Sequence, residues 1–283
     1  MLADMHTHSL HSPDADRGAS VEQMALKAQE LGLHTLTVTD HCDLNYWYGA
    51  DEHKYEEYYL SDSSMFGSRD YAAASIEEVT ALKERFSFLR CGIELGQLAQ
   101  APEQAALMSA DKRLDFIIGS LHMNRGKPDF YWIECKKMDS SEIVSLLDDY
   151  FAEELEVCRT GDFDILGHLT YPMRYIVGEC GIPLDMTRWE DIIREIFSTL
   201  ISRGKGIEIN TSGLRQHYGL TFPSLEHICL FREMGGEIIT LGSDAHRIDD
   251  IGAGLGAGAA LAREAGFRYT AVYTGRQPEF IRL

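Results

Sequence analysis

Residue types that bind metals and phosphates recur at one kind of position in this sequence, at the end of short apolar runs or just beyond them. Seven runs end this way, at His6 and His8, His41, Glu94, His122, His168, Asn210, and Asp244 with His246. In barrels of alternating strands and helices, the strand ends and the loops after them carry the chemistry. The pattern therefore predicts a barrel enzyme that holds several metal ions at its mouth.

The first of these groups, His6-Thr7-His8, places two imidazoles at positions i and i+2 of a predicted strand. Side chains at this spacing point to the same face, so both rings can bind one cation. An HxH pair alone is a weak signal, because single histidines are often core or surface residues. Its weight comes from Asp14, which follows shortly, from His41, and from the Ser-Asp-Ala-His stretch at 243–246.

The apolar runs alternate with helical patterns along nearly the whole sequence, which predicts a parallel sheet of βα units. The first helix has Ser20 as its N-cap and Gly32 as its stop. Ser75 and Glu78 fit a capping box ahead of a helix that runs toward Phe86. Further helices are predicted over residues 140–159, 187–203 and 223–234. The predicted fold class is α/β, a single distorted barrel of seven βα units over residues 1–283.

Two segments depart from this alternation. Residues 44–74 form a long irregular stretch rich in tyrosine, aspartate and serine, and we expect a lid-like loop over the barrel mouth. His53 within it is expected to be a surface histidine. The closing segment, 267–273, is predicted to pair outside the barrel.

The composition limits the partners of the chain. Its 283 residues carry a formal net charge of −19, which argues against nucleic acid or an anionic membrane as a partner. No apolar run approaches the length that spans a bilayer. The six cysteines form no CxxC pair, a pattern typical of reduced thiols in a cytoplasmic enzyme. Because the first strand begins almost at residue 1, we expect no signal peptide and a cytoplasmic location.

Six motifs in order resemble those of the polymerase-and-histidinol-phosphatase (PHP) superfamily, and more closely its histidinol-phosphate phosphatase branch. DMHTHSLHSPDA is similar to the first family motif, VTDH to the second and GIELG to the glutamate strand. IGSLH, DILGHL and LGSDAH are similar to the later metal motifs. EINTSGLR, with Gly219 and FPS following, is most specific to the phosphatase branch. The resemblance covers nearly the whole chain and implies a PHP-type, TIM-barrel-like fold.

The resemblance also implies two to three divalent metal ions. The expected sets are His6, His8, Glu94 and Asp244 for one ion, Glu94, His122 and His168 for a second, and Asp14, His41 and His246 for a third. Glu94 would then bridge two cations. Imidazole and carboxylate ligands suit Zn, Mn or Fe(II) without choosing among them. Asp16 and His11 remain open as alternatives to Asp14.

Phosphate oxygens that do not bind metal need other donors, and arginine offers paired donors in a fixed fork. The candidates, all near ligand-bearing strand ends, are Arg215, Arg174, Arg125 and Arg247. We expect catalysis to depend on Glu94, Asp244, His246 and Arg215. Asp40 is expected to orient a ligand imidazole through its second nitrogen, and Asp4 is a weaker candidate for the same role.

A cluster of this kind suits phosphate ester hydrolysis for physical reasons. Phosphate monoesters are dianions, so close cations neutralise the charge that repels a nucleophile, and they also lower the pKa of a bound water. The sequence shows no P-loop, nucleophile elbow or dedicated cysteine motif that would indicate another route. The loop after IGSLH reads MNRGKPDFYWIE, which differs from the aromatic and acidic stretch of many histidinol phosphatases. That loop is expected to contact the organic part of the substrate.

The resemblance implies a phosphatase that hydrolyses L-histidinol phosphate to L-histidinol and phosphate in histidine biosynthesis. One alternative is a PHP phosphoesterase for another small phosphate monoester, such as a nucleotide, a sugar phosphate or phosphotyrosine. A second is a non-catalytic metal-binding module, which the complete ligand set disfavours. A third is a metal-dependent amidohydrolase, which usually carries a bridging lysine where this chain has Ser120-Leu-His122. The sequence makes no prediction of oligomeric state.

Overall fold

Parallel strands surround a common centre in the described part of the chain, residues 2–44 and 67–283 of a computed structural model. The strands are β1 (Ala3–Thr7), β2 (Thr35–Val38), β3 (His41–Asp43), β4 (Leu89–Gly96), β5 (Phe116–Ser120), β6 (Ile165–Leu166), β7 (Gly206–Asn210) and β8 (Ile239–Gly242). They pair in the order β1, β2, β4, β5, β6, β7, β8. β3 continues β2 along the same neighbour, β4. The predicted α/β architecture with seven strand positions is confirmed.

The sheet closes where the segment after β8 meets the end of β1. Thr7 forms a parallel bridge with Ala245. The amide of His8 donates to the carbonyl of Ala245 at 2.8 Å, and the amide of Asp244 donates to the carbonyl of His6 at 2.8 Å. Closure therefore holds both histidines of the first motif beside the aspartate of the last.

Seven α-helices of the described residues connect the strands. They are α1 (Val21–Leu31), α2 (Gly67–Leu82), α3 (Pro102–Ser109), α4 (Ser140–Thr160), α5 (Glu190–Ser202), α6 (Leu225–Glu233) and α7 (Leu255–Glu264). The predicted ends of α1 are confirmed, because Ser20 accepts a hydrogen bond from the amide of Gln23 and Gly32 has a left-handed φ of 66°. α4 begins with a capping box between Asp139 and Glu142 and buries an apolar face that includes Ile143, Leu147 and Tyr150.

The predicted capping box at Ser75 is wrong. Ser75 lies inside α2, which already begins at Gly67. Its hydroxyl donates to Asp40 Oδ2 at 2.5 Å instead of to its own helix. The alanines at 72–74 favour helix before Ser75, so a polar residue that resembled a cap is an interior position facing the barrel.

The closing segment forms a hairpin of β9 (Tyr269–Thr274) and β10 (Gln277–Arg282), in a sheet separate from the barrel. This confirms the predicted pairing outside the barrel. Ala271, Val272 and Tyr273 pack with residues of β1, β5 and β6, including the first residue of β5, Phe116. The hairpin thus covers the end at which the strands begin. The larger apolar cluster lies between the strands and the surrounding helices.

Only part of the loop predicted at residues 44–74 belongs to the described residues. Residues 45–66, which include His53, lie outside the described residues. The remainder of the predicted loop, from Gly67 onward, is helix α2, so the prediction of an irregular stretch is wrong there. No helix of the described residues combines the length and hydrophobicity needed to cross a membrane.

A buried carboxyl in α4 makes stability depend on pH. Glu154 is completely buried, and its Oε1 accepts a hydrogen bond from Tyr150 Oη at 2.8 Å. Burial raises the pKa of Glu154 from 4.5 to about 8. The folded chain therefore keeps this proton up to about pH 8, whereas the unfolded chain releases it near pH 4.5. The contribution to folding is complete below pH 4.5 and declines as the pH rises toward 8.

We predict that Glu154→Gln, which cannot ionise, reduces the fall in stability between pH 5 and pH 8 and makes the protein more stable at pH 8. Denaturant midpoints at both pH values measure this difference. Glu156→Gln, an exposed position of the same helix, is the matched control and should follow the unaltered protein. Equal pH profiles for all three proteins would contradict the role of Glu154.

Candidate metal centre

Glu94 lies at the centre of the candidate site. The side chain is completely buried in β4. Its Oε1 lies 3.0 Å from His122 Nε2 and 2.7 Å from His168 Nε2. Its Oε2 lies 2.8 Å from His41 Nδ1 and 3.4 Å from His6 Nε2. The two oxygens of one carboxylate therefore face different groups of imidazoles, the arrangement that a bridging ligand requires.

A second group joins the first motif to the last. The Nε2 atoms of His6 and His8 lie 3.0 Å apart. Asp244 Oδ1 lies 3.7 Å from the first and 3.4 Å from the second. Asp244 has a φ of 53°, a left-handed conformation that costs energy for a residue with a side chain. The carboxylate thus reaches the histidines from a strained backbone.

A third group lies nearer the opening. Asp14 Oδ2 lies 3.1 Å from His246 Nε2 and 3.5 Å from His41 Nε2. The alternatives to Asp14 point elsewhere. His11 Nε2 lies 2.6 Å from Glu78, and Asp16 accepts a hydrogen bond from the amide of Gly18. The structure thus brings together all nine side chains for which the sequence predicted metal ligation.

Two imidazoles of the candidate metal centre have an acidic partner on the nitrogen that faces away from the cluster. His6 Nδ1 lies 2.7 Å from Glu208 Oε1, and His122 Nδ1 lies 3.0 Å from Asp43 Oδ1. Such a partner fixes the tautomer with Nδ1 protonated and leaves the Nε2 lone pair for a cation. Glu208 Oε2 also accepts the amide proton of His168. Glu208 was not among the predicted residues, although a lone acidic residue inside the apolar run GIEIN was a signal.

The role predicted for Asp40 takes an indirect form. Asp40 accepts hydrogen bonds from the hydroxyls of Ser9 and Ser12. Ser12 Oγ lies 3.0 Å from His8 Nδ1, so Ser12 transmits the orientation. Asp4 accepts from the amides of Ser243 and Gly252, at 2.8 Å each. It therefore supports the loop of Asp244 and not the histidines.

The pKa values of Glu94 and His8 favour the forms that bind cations, namely ionised carboxylate and neutral imidazole. Burial alone raises the pKa of the Glu94 carboxyl, but the charges of His122 and His6 outweigh it and hold the pKa well below its ordinary value. Burial and the charges of His246 and His41 lower the pKa of His8 to about 3, which favours the neutral ring that binds metals. Four triads have ligand atoms within 4.8 Å of one another, among them Glu94, His122 and His168. The donor types and their spacing fit divalent metal ions.

The cluster opens into a cavity of about 320 Å³. Five further side chains line it: Asp129, Tyr131, Tyr171, Arg174 and Tyr175. Arg174 was predicted by number, and Asp129 and Tyr131 lie in the loop after IGSLH that was expected to contact the substrate, whereas Tyr171 and Tyr175 were not predicted. Tyr171 and Tyr175 lie on either side of Arg174 in the sequence. The pattern of apolar residues predicts which face of an element is buried in the core, but it does not predict which side chains face a cavity.

Arg174 is the predicted phosphate-binding arginine that the structure brings to the cavity. It begins a π-helical turn, Arg174–Glu179, a local geometry that is frequent at functional sites. Its Nη2 donates to Asp244 Oδ2 at 3.0 Å and to Ser212 Oγ at 2.9 Å. The guanidinium lies 5.2 Å from the ring centroid of Tyr171 and 5.6 Å from that of Phe222. These contacts fix its orientation beside the cluster.

The structure does not bring the other three arginines to the cavity lining. Arg215 donates to the carbonyls of Ser243 and Asp244, at 2.6 and 2.8 Å, so its fork supports the backbone of Asp244. Arg125 donates to the carbonyl of Ala99. Arg247 precedes a short 3-10 turn, Ile248–Asp250. These three arginines were expected to contact phosphate because they follow strand ends. Position in the sequence, however, does not determine where a long side chain points.

The chain is similar to a known protein family and, over most of its length, to several known proteins. A family model described as the PHP domain matches residues 4–212. A probable histidinol-phosphatase of Thermotoga maritima is 25% identical over 273 residues, which cover 96% of this chain and 95% of that protein. A probable histidinol-phosphatase of Clostridium acetobutylicum is 25% identical over 261 residues, 89% of each chain.

A solved structure has the same fold. It is the crystal structure of histidinol phosphate phosphatase from Lactococcus lactis, complexed with zinc, L-histidinol and phosphate. It matches with a TM-score of 0.75 and 22% identity, and the match covers 98% of both chains. This agrees with a distorted barrel of seven βα units.

We predict that Glu208→Gln weakens metal binding by about ten- to a hundredfold. Both oxygens of Glu208 accept hydrogen bonds, from His6 and from the amide of His168, so an amide nitrogen at either position faces a donor. Competition with a chromophoric chelator measures the affinity. Glu237→Gln removes the same charge at an exposed position and serves as the control. Unchanged metal affinity in Glu208→Gln would show that the hydrogen bond from His6 Nδ1 to a carboxylate is not needed for metal binding.

Proposed function

The chain belongs to the PHP domain family, and from this membership and the geometry of the site we propose that it is a metal-dependent phosphatase that hydrolyses L-histidinol phosphate to L-histidinol and phosphate. The observation that carries the proposal is the convergence of nine imidazole and carboxylate side chains around Glu94, beside a cavity that Arg174 enters. The relatives named histidinol-phosphatase, which match over nearly the whole chain, support the choice of substrate.

The proposed metal ligation follows the three groups of contacts. His6, His8, Glu94 and Asp244 would hold one ion, and Glu94, His122 and His168 a second. Asp14, His41 and His246 would hold a third. The zinc in the Lactococcus lactis structure supports zinc as one candidate, beside Mn and Fe(II). When bound, such ions supply neutralisation of the phosphate charge and activation of water.

The chain itself contributes orientation and charge. Glu94 fixes the group of His6 and the group of His168 relative to each other, because one of its carboxylate oxygens faces each group. Asp244 and His246 approach from the loop that closes the barrel. Burial lowers the pKa of Arg174, but the neighbouring Tyr175 and Asp244 outweigh it and raise the pKa above its ordinary value, so the guanidinium stays charged. We propose that Arg174 binds a phosphate oxygen and that Arg215 acts by holding the backbone of Asp244.

We further propose a cytoplasmic location and a small phosphorylated molecule as the partner. The six cysteines, all within the described residues, carry thiols and not disulfides, which supports a reducing compartment.

The test of the function is phosphate release from a panel of esters: L-histidinol phosphate, AMP, a sugar phosphate and phosphotyrosine. We predict that the metal-loaded protein prefers L-histidinol phosphate, that chelation abolishes the activity, and that Zn, Mn or Fe(II) restores it. A preference for another ester would replace the substrate but keep the reaction class.

Glu94→Gln provides the matching variant for the same test. Glutamine keeps the shape of the side chain but removes the negative charge that lies between two groups of imidazoles. We therefore expect a loss of at least about a hundredfold in the rate of phosphate release. Metal analysis of each protein accompanies the kinetics. Phosphate release that survives exhaustive removal of metal would refute the mechanism.

Arg174→Lys tests how the phosphate is bound. Lysine keeps the charge but loses the planar fork, so we predict a loss of about tenfold or more in kcat/KM with unchanged metal content. Arg125→Lys, outside the cavity lining, is the control and should retain the activity of the unaltered protein. Near wild-type kcat/KM for Arg174→Lys would remove this residue from the phosphate contact.

A further inference from the structure

A second cavity adjoins the cavity of the candidate metal centre, the metal cavity. Its volume is about 830 Å³, and three side chains, Tyr131, Arg174 and Tyr175, line both cavities. The remainder of its lining comes from the loop after β5, the π-helical turn after β6 and the loop after β7. Because these segments all follow strand ends, the second cavity lies at the same mouth of the barrel as the metal cavity.

Gln216 lines the second cavity from a hydrogen-bonded backbone. It follows the 3-10 turn Ser212–Arg215, and its amide donates to the carbonyl of Gly213 at 3.2 Å. Ser212, at the start of the same turn, accepts a hydrogen bond from Arg174 Nη2 at 2.9 Å. The turn therefore joins Gln216 to the arginine that lies between the two cavities.

The side-chain amide of Gln216 has an unsatisfied acceptor. Its Oε1 is shielded from solvent, and no described residue donates a hydrogen bond to it. A buried acceptor without a donor is unfavourable, so a bound molecule whose N–H group satisfies this acceptor removes the penalty. Rotation of the terminal amide by half a turn exchanges Oε1 and Nε2 without any change of the backbone, which brings the acceptor to the cavity side.

Two tyrosine rings lie where the cavities meet. The rings of Tyr131 and Tyr175 line both cavities, with centroids 6.1 Å apart at an angle of 81°. An aromatic group of a bound molecule packs favourably against such rings, either offset and parallel or edge to face. Tyr175 follows Arg174 directly, so a molecule whose phosphate contacts Arg174 has its organic part beside these rings.

The charges of the second cavity favour a neutral donor over a cation. Among the described residues, three basic and two acidic side chains line it: Lys136, Lys137, Arg174, Glu134 and Glu179. Lys137 Nζ also lies 2.7 Å from Glu134 Oε1. The lining therefore carries no excess of negative charge that would attract an ammonium group. A neutral imidazole, which carries one N–H on a planar ring, fits both the charges and the acceptor.

We propose that the second cavity binds the imidazole ring of the substrate and that Gln216 is a specificity-determining residue, whose Oε1 accepts a hydrogen bond from the ring N–H. This inference rests on the proposed function and names the part of the site that would select the substrate. L-histidinol phosphate combines a phosphate, for the metal cavity and Arg174, with a planar ring that carries one N–H. A sugar phosphate and phosphotyrosine have no ring N–H to offer.

The test compares L-histidinol phosphate with L-phenylalaninol phosphate, which keeps the phosphate, the ammonium group and an aromatic ring but has no ring N–H. Gln216→Met keeps the length of the side chain and removes its hydrogen-bonding atoms. At about pH 8, where the imidazole is neutral, we expect the ratio of kcat/KM for the first ester to that for the second to fall about tenfold in this variant. Because both esters are measured on one preparation, this ratio does not depend on the fraction of folded, metal-loaded protein.

Gln23→Met is the matched control, because Gln23 is exposed on α1 and lines neither cavity, and it should leave the ratio unchanged. Inhibition constants of L-histidinol and L-phenylalaninol give the same comparison without turnover of the second ester. An unchanged ratio in Gln216→Met would overturn the inference while leaving the proposed function intact. Failure of the unaltered protein to hydrolyse L-histidinol phosphate would overturn the proposed function and this inference with it.

Discussion

A completely buried carboxylate, Glu94, is the constraint on which the rest of the site depends. A buried charge is costly unless it is paired and hydrogen-bonded. Four imidazoles lie within 3.4 Å of its two oxygens. These rings are themselves buried polar groups, and several need partners of their own. Glu208, Asp43 and the pair of Ser12 with Asp40 meet this need, so the polar network extends outward from one residue.

The closure of the barrel serves the same network. Asp244 adopts a left-handed backbone, which persists only where its surroundings hold it. Asp4 accepts the amide proton of Ser243, and Arg215 donates to the carbonyls of Ser243 and Asp244. The amide of Asp244 also pairs with β1 through the carbonyl of His6. Charged side chains and strand pairing together fix the backbone whose carboxylate faces His6 and His8.

Sequence reasoning predicted which side chains meet in the candidate metal centre because strand ends are a topological feature. Parallel strands bring their ends to one edge, so His122 and His168 meet although 46 residues separate them. It did less well where the direction of a side chain decides the outcome. Arg215 and Arg174 follow strand ends equally well, but only contacts formed on folding show that one supports the backbone and the other enters the cavity. Ser75 failed for a related reason, since a cap and an interior serine share the same local pattern.

The candidate metal ligands and the remaining wall of the cavity come from different parts of the chain. Most of the candidate ligands come from strand ends that the closed sheet holds in place, and five imidazoles among them lie within 4 Å of Glu94. Asp129 and Tyr131 come from the loop after β5, and Tyr175 comes from the π-helical turn. The amide of Phe130 donates to the carbonyl of His122, and Tyr171, whose ring lies beside His122 and His168, donates to Asp129, so this wall contacts the cluster. A loop of this kind can change its charge and aromatic content while the metal ligands stay in place, because function in such barrels is set by loops on a conserved scaffold. In the proposed function, this loop would contact the organic end of the substrate, and the side chains at the strand ends would act on the phosphate.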